Sequence, residues 1–159
     1  MTRTFTVRPA TVADAVALGE LNTSVQELHA RVRPTDFHAP DAAAAASYFR
    51  DRLTAVTVLV LLAEADGQPL GYLYAEEQRL EADAFRQSAN VLHVHHLCTH
   101  PDRRRSGIGR ALMTTAEQHA ASRALDTLLL STGSFNIDAQ RFFGALGYEP
   151  YSIRLIRRL

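Results

Sequence analysis

The sequence contains no lysine, so all 17 of its Lys and Arg residues are arginines. This absence excludes a Walker phosphate loop, which requires Gly-Lys-Ser or Gly-Lys-Thr, and every reaction that depends on a catalytic or Schiff-base lysine. Cysteine occurs once, as Cys98, which excludes an intramolecular disulfide and favours a reducing compartment.

An excess of either charge is also missing, because 17 acidic and 17 basic residues give a formal net charge of +0. The chain therefore has no overall attraction to nucleic acid or to a membrane surface. No apolar run approaches the roughly 20 residues of a membrane span, and the first ten residues lack a signal-peptide core. We expect a cytoplasmic protein with a single domain over residues 1–159.

The hydrophobic pattern predicts strands and helices in alternation. Apolar runs predict strands over residues 4–8, 56–65, 70–75, 91–98 and 125–131. Helical spacing after a capping residue or a glycine turn predicts helices that begin near Thr11, Asp41, Gly109 and Asn136. Residues 76–90 are expected to form a loop with some helix, and residues 148–159 one or two closing strands. The strand-helix-strand order of residues 91–131 predicts a parallel crossover.

The most informative motif is His-Pro-Asp-Arg-Arg-Arg-Ser-Gly-Ile-Gly-Arg over residues 100–110. Gly107 and Gly109 let backbone N–H groups converge on an anion, and the following helix adds its positive dipole end. The arginines add full charge, although we expect Arg103 to be a solvated surface residue. Leu112 stands where a dinucleotide fingerprint needs Gly or Ala, so the motif predicts a different phosphate ligand.

Three further motifs surround this one in a fixed order. The full set is Leu97-Cys98-Thr99-His100-Pro101, Arg104-x-x-Gly107-x-Gly109, Asn136-x-x-Ala139-x-x-Phe142-Phe143 and Leu146-Gly147-Tyr148. Together these motifs resemble the GNAT superfamily of N-acetyltransferases, over essentially the whole chain. The resemblance implies an α/β fold with mixed α+β character: a mostly antiparallel central sheet, one parallel strand pair splayed at the cofactor site, and about four flanking helices.

The same resemblance implies an acetyl-CoA-dependent N-acetyltransferase. Its amides from residues 104–110 would bind the pyrophosphate, the backbone of residues 97–99 would pair with the pantetheine arm, Asn136 would position that arm, and Phe143 would flank the sulfur. The implied cofactor-binding residues are Leu97, Cys98, Thr99, Arg104, Arg105, Ser106, Gly107, Ile108, Gly109, Arg110, Asn136 and Phe143. Many family members carry Tyr at the position of Phe143, where its hydroxyl would protonate the departing coenzyme A thiolate. Phe143 has no hydroxyl, so here the thiolate would take its proton from water, Tyr148, Tyr151 or the base.

Acetyl transfer to a primary amine requires a group that removes a proton from the ammonium ion. Histidine, with an unperturbed pKa of about 6.5, suits this task. His93 and His95 lie two apart on a predicted strand and so project from one face. They match the His-x-His pair of serotonin N-acetyltransferase, and we predict His93 as base or proton relay with His95 as its partner. His96, on the opposite parity, is expected to be structural.

Other interpretations remain open. Both histidines could simply line a wet cleft, four histidines within residues 93–100 could ligate a metal, or the chain could be a non-catalytic acyl-CoA-binding regulator. A covalent path through Cys98 is a minor alternative to direct attack within a ternary complex. We predict no bound metal.

The sequence does not identify the acceptor. A small-molecule amine, a peptide N-terminus and an aminoglycoside all remain candidates, with a homodimer as one expected assembly. Specificity is expected to come from residues around Glu27, His29, Asp36 and Phe37, and from Glu76 onward.

Overall fold

A computed structural model describes residues 4–159, in which a five-stranded mixed sheet carries helices on both faces. The strands are β1 (Thr6–Pro9), β2 (Val58–Ala65), β3 (Gln68–Leu80), β4 (Ala89–Thr99) and β5 (Thr127–Leu130). The α-helices are α1 (Ala15–Val32), α2 (Ala42–Arg52), α3 (Ile108–Ser122) and α4 (Ile137–Ala145). Sheet order follows chain order, and only β4 and β5 are parallel. The predicted fold class is confirmed.

Local capping explains where several elements begin. Asp41 accepts a hydrogen bond from the Ala44 amide at 2.9 Å and so caps α2. Before α1, the Thr11 amide donates to Asp14 at 2.7 Å, as the predicted capping box requires. The β2–β3 turn places Asp66 and Gly67 at φ values of 52° and 73°, which suit a tight hairpin.

The two faces of the sheet bury separate apolar clusters. On one face, α3 packs Leu112, Met113 and Ala116 against strand residues that include Leu92 and Val94. On the other face, α1 and α2 contribute Leu18 and Phe49, which pack against Tyr72, Tyr74 and Cys98. Side chains of β4 therefore alternate between an α3 face and an α1/α2 face, which decides what each of its histidines can contact.

The expectation for residues 76–90 is wrong in its first part, because β3 continues to Leu80 and pairs with the start of β4. Glu76 lies opposite His93, and Leu80 lies opposite Ala89. This extension of β3 reaches beyond the apolar core, so its sequence is polar like that of a loop. Backbone pairing with β4 nevertheless keeps it in a strand. Only residues 81–88 connect the two strands.

The closing strands expected over residues 148–159 are absent from the described chain, where this segment has no regular secondary structure. Alternation of apolar and polar residues produces a strand only where a neighbouring strand supplies hydrogen bonds. We call residues 149–159 the C-terminal arm. Within residues 4–159, no helix is both long and apolar enough to cross a membrane.

Candidate active site

A gap opens between the two parallel strands of the sheet. β4 pairs with β5 only from Val91 to Val94, after which β5 ends at Leu130. From His96 to Thr99, β4 pairs with β3 alone among the described residues. One backbone edge of β4 therefore faces the gap, where a linear molecule with amide groups could bind as an additional strand. The splayed parallel pair that the GNAT resemblance implies is present.

A β-bulge lies in β4 at the mouth of this gap. Tyr74 of β3 faces His96 and Ala75 faces Val94, which leaves His95 without an opposing residue. The extra residue shifts the alternation of side chains along the strand. The prediction that His96 points away from His93 is therefore wrong. It assumed that side chains alternate regularly along the strand, and the bulge breaks that alternation. His96 contacts the α1/α2 face, where its ring lies 6.0 Å from that of Phe49.

The structure brings His93 and His95 together. Their rings stack with centroids 4.4 Å apart, and His95 stacks in turn on Tyr74 at 5.1 Å. We call His93, His95 and Tyr74 the ring stack. Gln78 lies at its outer end, with Nε2 3.4 Å from His93 Nδ1. Because stacked imidazoles do not point their N–H groups at each other, a proton can pass between these two rings only through a bridging water.

Glu76 lies beside the ring stack; it was expected at the start of a loop that contributes to acceptor specificity. Its Oε2 lies 3.8 Å from His95 Nε2, Tyr74 donates a hydrogen bond to its Oε1, and Arg52 lies 3.5 Å from the same oxygen. The alternation Tyr72, Tyr74, Glu76 is the sequence signal that could have placed it on the histidine side of the sheet.

Burial and three neighbouring side chains determine the protonation of His95. Partial burial lowers its pKa most, the neighbouring His93 and Arg52 lower it further, and the Glu76 carboxylate raises it. The pKa of His95 therefore lies below the ordinary histidine value, so the imidazole is neutral near pH 7. A neutral imidazole beside a carboxylate can accept a proton and be stabilised once charged.

His96 is held differently, at the end of a chain of hydrogen bonds. Asn22 donates to the Tyr72 hydroxyl at 2.8 Å, which leaves that hydroxyl free to donate to His96 Nδ1 at 3.1 Å. Burial lowers the pKa of His96 to about 4, with smaller effects from His95 and His29. His96 is thus a neutral structural residue with its ring proton on Nε2, and the expectation of a structural role holds.

The thiol of Cys98 points away from the gap and into the α1/α2 core. It donates a hydrogen bond to the Leu21 carbonyl at 3.0 Å, and the side chain is buried. Burial raises the pKa of this thiol to about 11, which opposes formation of a nucleophilic thiolate. The geometry argues against the covalent path through Cys98, and only its backbone can face a ligand in the gap. The two residues that flank Cys98 have other surroundings. Leu97 packs on the α3 face, and Thr99 is the last residue of β4.

The residues after β4 form a turn in which the Asp102 amide donates to His100 Nδ1 at 3.3 Å, whereas the first helical turn of α3 has no side-chain cap. Gly107 is the N-cap of α3 at φ 87°, and it makes no side-chain cap for the first helical turn. Arg105 also has a positive φ, of 62°. Alternating positive and negative φ values turn successive amides toward a common point, as anion-binding nests do. Uncapped amides at a helix N-terminus add to that anion site.

The side chains of this turn divide into exposed and packed groups. Arg104, Arg105 and Arg110 are exposed, whereas Arg103 is half-buried, so Arg103 is not the most solvated of the three consecutive arginines. Ser106 donates its hydroxyl to the Arg103 carbonyl, and Ile108 is buried in the core.

Gly109 has a packing role in the structure. A Cβ at this position would lie 3.2 Å from the Phe142 ring, so the missing side chain lets α4 pack close to the start of α3. The expectation that Gly109 also serves the anion stays a prediction. Gly107 has open space around it, and it is its positive φ that favours glycine there.

α4 places the two remaining predicted cofactor residues. Asn136 Oδ1 accepts a hydrogen bond from the Ala139 amide at 3.1 Å and caps the helix, which leaves its NH2 group to donate to a ligand. Phe143 packs against the α3-face core and lies 5.7 Å from the Tyr148 ring. Tyr148 donates to Glu117 at 3.4 Å, and burial raises its pKa to about 12. Tyr151 is 85% exposed on the C-terminal arm.

Two of the expected acceptor residues join an aromatic cluster at the end of α1. The His29 ring stacks on Phe37 at 4.9 Å and meets the edge of Phe135 at 5.8 Å. Phe135 immediately precedes Asn136 and was not anticipated. Asp36, next to Phe37, accepts a hydrogen bond from Arg158 of the C-terminal arm, while Glu27 is exposed.

The histidine-rich strand does not assemble a metal site in the described chain. Among residues 4–159, no group of three or more His, Cys, Asp or Glu side chains lies close enough to hold a metal ion. The metal interpretation therefore lacks a ligand set there.

A model of the acetyltransferase (GNAT) family matches residues 22–148, which is most of the chain. The chain belongs to the GNAT acetyltransferase family. This confirms the resemblance drawn from the four motifs.

Individual relatives of this GNAT protein are more distant. Mycothiol acetyltransferase from Thermobispora bispora is 28% identical over 97 residues, which are 61% of this chain. They are 32% of that enzyme, so the chain spans about a third of the length of the curated relative it matches. Among solved structures, a tetramutant of the BH1408 protein from Bacillus halodurans superposes with a TM-score of 0.91 at 23% identity, over 97% of this chain and 99% of its own.

An aminoglycoside N-acetyltransferase, AAC(6')-Iy in complex with CoA, superposes with a TM-score of 0.78 at 17% identity. The match covers 98% of this chain and 95% of that one. At these identities the structural matches show the shared fold.

Proposed function

We propose that this GNAT protein transfers the acetyl group of acetyl-CoA to a primary amine by direct attack within a ternary complex. The observation that carries the proposal is the arrangement along β4. The strand bears His93 and His95, then offers a free backbone edge up to Thr99, and then leads into the anion turn of residues 100–107. The proposed proton acceptor and the edge that would bind the pantetheine arm thus lie along one strand. The proposed pyrophosphate site lies in the turn that follows it.

The residues of the turn fit a pyrophosphate. Its charge suits the uncapped amides at the start of α3 and the exposed arginines Arg104, Arg105 and Arg110. When bound, acetyl-CoA supplies an activated thioester. The free edge of β4 would hold the pantetheine arm by backbone hydrogen bonds, and the NH2 group of Asn136 would donate to it from the opposite side of the gap.

The ring stack supplies the group that the amine requires. An alkyl ammonium has a pKa of about 10.4, so a neutral imidazole must take its proton before the nitrogen can attack. Burial keeps His95 neutral near pH 7, and Glu76 stabilises the imidazolium that forms. His93, stacked on His95, would face the amine, and a water that bridges the two imidazoles would relay the proton to His95. Cys98, with its raised pKa and buried thiol, supports direct attack over an acyl-cysteine route.

We propose that the acceptor amine binds on the side of the gap that the C-terminal end of α1 lines. The aromatic cluster of His29, Phe37 and Phe135 is the surface that would contact the acceptor. The aminoglycoside N-acetyltransferase among the structural relatives supports small cationic amines as the first acceptors to test.

Gly107→Val is expected to weaken acetyl-CoA binding about tenfold or more. A β-branched residue at φ 87° costs on the order of 1–3 kcal/mol, so the turn would change conformation and its amides would no longer converge. The affinity is measured by calorimetric titration with acetyl-CoA, which needs no acceptor. Gly144→Ala is the matched control, because Gly144 lies within α4 with open space around it. Equal affinity of both variants would remove the turn from the coenzyme site.

A further inference from the structure

The two oxygens of the Glu76 carboxylate have different partners. Tyr74 donates a hydrogen bond to Oε1, and the guanidinium of Arg52 lies 3.5 Å from the same oxygen. Oε2 faces His95, with 3.8 Å between it and Nε2 of the imidazole, which is longer than a hydrogen bond but close enough for a charge to act. The two partners of Oε1 therefore fix the orientation of the carboxylate, and this orientation places Oε2 beside His95.

Arg52 is in turn held by α2, of which it is the last residue. Tyr48 lies one helical turn earlier on the same face, and the guanidinium carbon of Arg52 is 5.1 Å from the centre of its ring, in a cation–π contact. The hydroxyls of Tyr48 and Tyr74 lie 3.1 Å apart. Because Tyr74 gives its own proton to Glu76, Tyr48 is the donor of this hydrogen bond. α2 thus holds Glu76 both directly, through Arg52, and indirectly, through the Tyr74 hydroxyl.

The titratable groups around His95 come from three elements. They are His93 and His96 on β4, Tyr74 and Glu76 on β3, and Tyr48 and Arg52 on α2. Glu76 is the only acid among them, and Arg52 is the only base that is charged at every relevant pH. After burial and His93, which lower the pKa of His95, the Glu76 carboxylate raises this pKa and the Arg52 guanidinium lowers it. The two charged residues in contact with each other therefore act on the imidazole in opposite directions.

We propose that Arg52 is a positioning residue for the proton acceptor: it holds the Glu76 carboxylate toward His95, and its charge limits how strongly that carboxylate favours the protonated imidazole. The inference rests on the proposed role of His95 in accepting the proton of the amine. A carboxylate alone would favour an imidazole that is already protonated before the amine arrives. With Arg52 beside the carboxylate, the imidazole stays neutral between turnovers, and Glu76 is still in place to stabilise it once it is charged.

The test measures the pH titration of the His95 imidazole by NMR in the whole protein, without coenzyme or acceptor. The signal of His95 is assigned by its loss in His95→Gln. Arg52→Gln is expected to raise the midpoint of this titration by about 0.5 pH unit, the size expected when one partly solvent-screened charge is lost. Arg52→Lys, which keeps the positive charge, is expected to restore most of the wild-type midpoint.

Arg50→Gln is the matched control, because it removes the same charge from another exposed position of α2, whereas the contact with Glu76 is made by Arg52. Its midpoint is expected to match that of wild type. All variants should keep the helix content of wild type by circular dichroism, since both arginines are exposed. An Arg52→Gln midpoint equal to that of Arg50→Gln overturns the proposal. An equal rise in Arg52→Gln and Arg52→Lys also overturns it, because the charge would then not be the cause.

The pH dependence of kcat/KM distinguishes failure of this inference from failure of the proposed function. If His95 accepts the proton of the amine, the acidic limb of the profile should move to higher pH in Arg52→Gln by the same amount as the NMR midpoint. A raised NMR midpoint with an unmoved acidic limb would uphold the effect of Arg52 on His95 and contradict the proposed role of His95 as proton acceptor.

Discussion

His93→Ala is expected to lower kcat/KM for the amine by about 10²- to 10⁴-fold, the usual contribution of a positioned general base. The ring of His93 stacks on His95 at 4.4 Å and has Gln78 as its outer neighbour, so its removal breaks the proton path without opening the core. His95→Ala is expected to have a loss of the same order, because His95 carries the contact with Glu76. Release of free thiol from acetyl-CoA measures the rate.

His119→Ala is the matched control for this experiment. His119 lies on α3 and contacts Glu77 at 3.1 Å, on the sheet face opposite the ring stack. Its turnover should remain near that of wild type, and acetyl-CoA affinity should be unchanged in all three variants. Undiminished turnover of His93→Ala would remove His93 from the mechanism.

The pH profile separates a chemical role from a structural one. Because burial and His93 lower the pKa of His95, kcat/KM of the wild type should stay level down to about pH 6.5 and fall below it, where the imidazole becomes charged. A profile that is flat well below pH 5 would show that neither histidine must be neutral during turnover.

Phe49→Ala is expected to destabilise the protein by about 3–5 kcal/mol, the usual cost of deleting a fully buried phenyl ring. Phe49 is 1% exposed, and its ring meets those of Tyr72 at 5.3 Å, Tyr74 at 5.9 Å and His96 at 6.0 Å. The cavity would lie directly beneath the ring stack. Urea denaturation, followed by circular dichroism, gives the free energy of unfolding.

Val56→Ala is the corresponding surface control, since Val56 is 92% exposed and should change stability by less than about 0.5 kcal/mol. If Phe49→Ala lowered the free energy of unfolding by less than about 1 kcal/mol, α2 would not pack on the histidine side of the sheet as described. At temperatures where this variant stays folded, coenzyme affinity should persist, because the anion turn lies beyond the far end of β4.

The parts that could be predicted from the sequence are those that depend on neighbours along the chain. The turn of residues 100–107 follows from local glycine and arginine chemistry, and the caps at Asp41 and Asn136 follow from side chains three residues from their partners. The parallel crossover of β4, α3 and β5 follows from the order of apolar segments. These elements already define the part of the site that we propose holds the cofactor.

The parts that could not be predicted depend on partners distant in the chain. The bulge at His95 arises from the register between β3 and β4, so counting along one strand placed His96 on the wrong side. The sequence predicts a loop at Glu76 because backbone pairing with β4, and not a hydrophobic side chain, keeps this residue in β3. The packing of Gly109 against Phe142 could not be predicted, because Phe142 comes from a helix more than thirty positions later in the chain.

The most direct measurement of the central claim is acetyl transfer itself. The protein is incubated with isotopically labelled acetyl-CoA and a panel of primary amines that includes aminoglycosides and short peptides. Mass spectrometry then follows both the amines and the intact protein. We predict a labelled N-acetyl amine that forms in step with free thiol, while the protein remains unlabelled. Tight binding of acetyl-CoA without any labelled amine across the panel would contradict the proposal and identify a non-catalytic acyl-CoA-binding regulator.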